Sequence, residues 1–221
     1  MSPLLDAIEF ETGKSPRTSV IWLHGLGADG NDFAPIVPEL DLPRKAVRFV
    51  FPHAPVRAVT INGGMRMRAW YDILDATVRH EDESGIRASQ SSVEALIARE
   101  KERGTPAGSL VLAGFSQGGA IALHTGLRHP ERLAGIMALS TYVPLGGKLP
   151  AEAGAANRDV PIFMAHGTYD PIIPLARAEE SRERLTSLGY CPEWHEYGMP
   201  HSVCPEELVD IGAWLREVIA P

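Results

Sequence analysis

Short, uninterrupted apolar runs alternate with longer amphipathic stretches along this chain, and that rhythm leaves few folds open. Residues 19–23 (SVIWL), 46–51 (AVRFVF), 109–113 (SLVLA), 133–139 and 161–166 (PIFMAH) have the length and composition of buried strands, with 193–197 as a shorter one. Between them, the spacing predicts helices near 31–40 and over 81–103, 117–127, 175–188 and 206–219. Such alternation predicts an α/β chain with a mostly parallel central sheet and helices on both faces. Residues 52–84 and 141–159 break the pattern, and are expected to be long irregular loops that cover a site or move over it. No repeat, low-complexity segment or linker divides the 221 residues, so one domain over 1–221 is expected.

Parallel strands need crossover connections, which gather the loops after each strand at one edge, where open α/β sheets bind ligands. The chemistry is therefore sought directly after each strand. After 109–113 comes Gly114-Phe115-Ser116-Gln117-Gly118, a G-x-S-x-G pattern with a strand before it and a helix after it. In that context the serine sits on a sharp turn, its neighbours two residues away must lack Cβ, and the helix that follows points its positive end at developing negative charge. Ser116 is the candidate nucleophile.

A serine hydroxyl needs a base, and the base needs a group to orient it. Asp170 follows the strand 161–166, and His201 follows 193–197, in the chain order Ser, acid, His expected on this architecture. His201 would take the serine proton, and Asp170 would fix its tautomer. The competitors are placed less well. Asp159 precedes its strand, Asp72 precedes the nucleophile within a long loop, His166 ends a strand as a structural histidine would, His195 lies within a strand, and His124 and His129 belong to or follow the nucleophile helix.

The turn at residues 25–30 (GLGADG) matches the G-x-G-x-x-G of a dinucleotide-binding loop. That reading needs an acid at the end of the second strand, and Phe49-Val50-Phe51-Pro52-His53 supplies none. The alternative is an oxyanion hole, with the backbone N–H of Leu26 facing the crevice and that of Gln117 as the second donor. Gly13-Lys14-Ser15 lacks the earlier glycine of a phosphate loop, and no metal-binding spacing occurs, so no cofactor and no metal is expected.

Charge and cysteine content narrow the partners. Lys plus Arg number 21 against 28 Asp plus Glu, a net charge of −7 with no basic block, which argues against nucleic acid. Two cysteines, Cys191 and Cys204, read as free thiols of a reducing compartment. Neither a signal peptide nor an apolar run long enough to span a membrane is present, and a cytoplasmic protein is expected.

Six segments, IWLHGLGADGNDF (21–33), FPHAP (51–55), AWYD (69–72), GFSQGG (114–119), HGTYDPIIP (166–174) and MPHSV (199–203), together resemble the carboxylesterase and acyl-protein thioesterase family of the α/β-hydrolase fold. The resemblance spans nearly the whole chain. It implies hydrolysis of short-chain esters and thioesters through a Ser116–His201–Asp170 triad, with Leu26 and Gln117 as oxyanion donors, and frequent homodimerisation. It also places AWYD beside the acyl groove, with Trp70 and Leu74 as candidate walls for a small ester or acyl-thioester substrate. Three other readings remain at this point: an NAD(P)-dependent oxidoreductase using residues 25–30, a non-catalytic binding module on the same fold, and an acyltransferase or perhydrolase with the same triad.

Overall fold

Neighbouring residues of the central strands face opposite layers, and this period of two builds two cores around one sheet. The computed structural model describes residues 4–42, 46–75 and 80–219. Its strands are β1 (Ala7–Glu11), β2 (Thr18–Leu23), β3 (Val47–Pro52), β4 (Val56–Val59), β5 (Met65–Arg68), β6 (Leu110–Phe115), β7 (Gly135–Leu139), β8 (Ile162–Gly167) and β9 (Pro192–Tyr197). Helices are α1 (Glu83–Glu102), α2 (Gln117–Gly126), the short α3 (Leu149–Glu152), α4 (Leu175–Ser187) and α5 (Pro205–Val218). Ile21, Leu23, Leu112 and Met164 meet Ile86, Leu123, Leu149 and Leu185 of α1 to α4 in one core. Val20, Trp22, Val111 and Phe163 meet Trp214 and Leu215 of α5, with Val37 and Leu40, in the other. This is the expected α/β arrangement, a sheet covered by helices on both faces.

Seven strands run in the order β1-β3-β2-β6-β7-β8-β9. Every neighbouring pair is parallel except β1 with β3. From β2 the chain goes first to β3 on one side, and later to β6 on the other. That reversal opens a crevice where the loops after β2 and β6 emerge, because Leu23 pairs with Gly114 at the ends of the two strands. At the opposite edge lies a buried ion cluster. Burial opposes ionisation of Glu100, but bonds from Ser19 (2.7 Å), Arg48 (3.0 Å) and Arg103 (3.0 Å) hold its carboxyl below the usual range.

Three expectations are corrected. The segment near 31–40 is a 3-10 helix over Ala34–Leu40 and not an α-helix, since Pro35 and Pro38 each remove a backbone donor. Residues 52–84 are not irregular throughout: β4 and β5 form an antiparallel hairpin, turned through Gly63 and Gly64 at positive φ. Residues 76–79 of that stretch lie outside those described. β1 has no counterpart in the sequence reading, because an edge strand reading AIEFE carries no apolar run. Among the described residues no helix is long and apolar enough to cross a membrane. Cys191 and Cys204 are free thiols.

One buried group sets a pH dependence. Glu207 of α5 has no exposed surface; burial, with Asp210 adding to it and the Cys204 backbone opposing, raises its pKa to about 8. The folded state therefore holds a proton that the unfolded chain has released. The stability it contributes is complete below about pH 4.5 and is lost as pH rises to about 8. His24, His124 and His166, all lowered by burial, act in the opposite sense, yet are common to wild type and a Glu207→Gln variant. In thermal melts from pH 5 to 8.5, Glu207→Gln is expected to gain on wild type steadily, by a few kcal/mol in all. A constant gap between the two proteins would contradict an uncharged Glu207.

Candidate active site

Ser116 links β6 to α2 at φ 54°, ψ −121°, a region that side chains rarely occupy. Its N–H donates to the Leu139 carbonyl (2.8 Å), and the Ser116 carbonyl accepts from the Thr141 hydroxyl (2.7 Å). The flanking glycines are sterically required. A Cβ on Gly114 would lie 2.4 Å from the Gly118 backbone, and one on Gly118 would lie 2.3 Å from the Leu23 carbonyl oxygen. The turn is thus wedged against the end of β2.

The side chains of the three candidate residues meet. His201 Nε2 lies 2.9 Å from Ser116 Oγ, and His201 Nδ1 lies 2.6 Å from Asp170 Oδ2. Asp170 is itself fixed, since Oδ1 accepts from the backbone N–H groups of Ile172 (2.8 Å) and Ile173 (2.9 Å). With Nδ1 facing a carboxylate, the Nδ1–H tautomer is favoured, and Nε2 is left to accept from the serine. Phe115 packs its ring 4.7 Å from the imidazole, centroid to centroid. His166, the histidine competitor, is buried and held below the usual histidine range; its Nε2–H donates to the Ile173 carbonyl (2.8 Å), behind Asp170. Asp72 accepts from the N–H and hydroxyl of Thr60, away from this cluster.

A cavity of about 490 Å³ opens over Ser116, with Leu26, Gln117 and His201 in its wall. Gln117 begins α2, so its N–H has no intrahelical acceptor. In the loop after β2, the N–H of Gly27 donates to Arg68 (2.9 Å) and that of Ala28 to Gly25 (3.3 Å), while the Leu26 N–H has no acceptor among the described residues. This loop is braced from below. His24 Nδ1–H donates to the Gly25 carbonyl (2.7 Å), and Nε2 accepts from Ala54 N–H (3.1 Å), a pattern that requires neutral imidazole; burial lowers its pKa accordingly. The turn at 25–30 is followed by the 3-10 segment, with no α-helix whose N-terminus could hold a pyrophosphate.

The candidate walls are corrected. Trp70 is wholly buried, with its indole N–H donating to the His24 carbonyl (2.9 Å), and Leu74 lies on the surface, 41% exposed; neither lines the cavity. Their neighbours Tyr71 and Ile73 do, with Ile61, Ile172, Ile173 and Tyr142. The Tyr71 and Tyr142 hydroxyls bond to each other (2.8 Å). The Gln117 side chain, unnoticed in the sequence as more than a neighbour of the serine, accepts from Trp70 N–H and donates to the Tyr71 carbonyl, both at 2.8 Å. No local sequence signal marks a bridge between residues 47 positions apart.

A family model described as phospholipase/carboxylesterase matches residues 7–219. Acyl-protein thioesterase 1 of Gibberella zeae is 39% identical over a 223-residue alignment covering 96% of this chain and 95% of that protein. The protein of the same name from Neurospora crassa is 41% identical over 210 residues, covering 90% and 86%. The crystal structure of Arabidopsis thaliana SOBER1 superposes with a TM-score of 0.87 at 31% identity, covering 92% of this chain and all of that one.

Gln117→Ala removes both ends of the bridge and leaves a buried N–H and C=O unpaired. Urea unfolding is expected to show a loss of about 2–4 kcal/mol. An unchanged midpoint would mean that the loop at 69–72 is held without it.

Proposed function

The chain belongs to the phospholipase/carboxylesterase family and is a serine hydrolase, and we propose that it cleaves carboxylic esters and thioesters through an acyl-Ser116 intermediate. The carrying observation is the unbroken relay of hydrogen bonds, 2.9 Å from Ser116 Oγ to His201 Nε2 and 2.6 Å from His201 Nδ1 to Asp170 Oδ2. His201 takes the Ser116 proton as Oγ bonds to the acyl carbon. The carbonyl electron pair moves onto oxygen, where the N–H groups of Leu26 and Gln117 stabilise it. Collapse expels the alcohol or thiol, which receives the proton from His201. Water then repeats the sequence, releases the acid and restores the serine. Asp170 stays ionised and holds the imidazolium. The apolar wall of Ile61, Ile73, Ile172 and Ile173 suits the acyl chain, and residues 1–221 would act as one unit.

Ser116→Ala is expected to lower kcat on p-nitrophenyl esters by about 10⁶-fold, and Asp170→Asn by about 10⁴-fold, with melting temperatures near wild type. Leu26→Ala keeps its N–H and should cost far less than either. A fluorophosphonate should add its mass to the peptide bearing Ser116 and to no other. Turnover surviving in Ser116→Ala would remove this residue from the mechanism. A p-nitrophenyl ester series beside a palmitoyl-thioester peptide measures chain length and the preference between ester and thioester.

A further inference from the structure

A second cavity, of about 310 Å³, meets the first at Asp32, Phe115 and His201, and is otherwise walled by Phe33, Ile36, Ser202 and Val203. Ser116, Leu26 and Gln117 line the first cavity only. This division matches the two halves of an ester. The acyl carbon must sit at Ser116 Oγ with its oxygen toward the Leu26 and Gln117 amides, so the acyl chain lies in the first cavity. The group that departs must take its proton from His201, so it belongs against that ring. We infer that the second cavity is the leaving-group subsite, and that it favours an alcohol or thiol carrying a cationic centre beside a short apolar stretch. This rests on the reading of Ser116 and His201 as nucleophile and base.

The charge preference follows from Asp32. Among the described residues no lysine, arginine or histidine forms an ion pair with it. Asp32 is exposed where it lines both cavities; partial desolvation, and then Asp29, still make its ionisation less favourable than in water, and a bound cation opposes that shift. Phe33 and Phe115, whose ring centroids lie 5.6 Å apart, stand in the same wall, and an aromatic face attracts a cation as a carboxylate does. The apolar remainder, Ile36 and Val203, excludes a leaving group that is charged along its whole length.

Butyrate esters of choline and of its neutral isostere 3,3-dimethylbutanol separate the possibilities. Both give the same acyl-enzyme, so deacylation is shared and the leaving group acts on kcat/KM. Normalised to the alkaline hydrolysis rates of the two esters, wild type should prefer choline butyrate by on the order of tenfold, and 0.5 M salt should shrink that ratio. Asp32→Asn should bring the ratio near one. Independently, Val203→Trp should narrow the cavity and raise the ratio of methyl butyrate to dimethylbutyl butyrate. A wild-type ratio near one, or a tenfold ratio kept by Asp32→Asn, overturns the charge preference. An unchanged size ratio in folded Val203→Trp overturns the subsite. Either result leaves the mechanism standing if Ser116→Ala is inactive on both esters; hydrolysis of neither ester by wild type overturns both readings.

Discussion

The positive φ at Ser116 is the constraint on which the rest of the site depends. Holding a serine there costs about 1–3 kcal/mol, and such a conformation persists only where its surroundings over-determine it. Here they do so from three sides. β7 supplies the Leu139 carbonyl, the loop after β7 supplies the Thr141 hydroxyl, and β2 presses its last carbonyls against Gly118. The Ser116 turn is therefore positioned by the parallel register of β2, β6 and β7 and not by its own loop. His201 and Asp170 lie in the loops that follow β9 and β8, strands that continue the same register.

A second set of contacts ties the loop after β2 to the chain between β3 and α1. Gly27 bonds to Arg68, Arg68 to the Ala54 carbonyl (3.0 Å), Ala54 to His24, and Trp70 to both His24 and Gln117. Each backbone group in this circuit is satisfied by a partner from a different segment. The N–H groups of Leu26, in the loop after β2, and of Gln117, at the start of α2, are thus held in place by contacts within the protein, as the proposed oxyanion hole requires.

Much of this was legible in the sequence, for a physical reason. Fully buried parallel strands read as continuous apolar runs, so the ends of β6 and β8, which Ser116 and Asp170 follow, could be found, whereas His201 follows β9, a partly exposed edge strand reading PEWHEY. What stayed hidden depended on one-residue distinctions or on partners far away. The AWYD segment pointed to the cavity, but the backbone bends at Trp70 and Tyr71, so Trp70 lies in the core and Tyr71 lines the crevice. The β4–β5 hairpin, with VRAV and MRMR, alternates too briefly to announce itself.

The buried cluster around Glu100 lies at the end of the sheet remote from the crevice. One end of this molecule is a keel, cross-braced by Ser19, Arg48 and Arg103, and the other is a working rim of loops. Sequence change can accumulate on the rim, altering what the crevice admits, while the keel goes on enforcing the same alignment of strands.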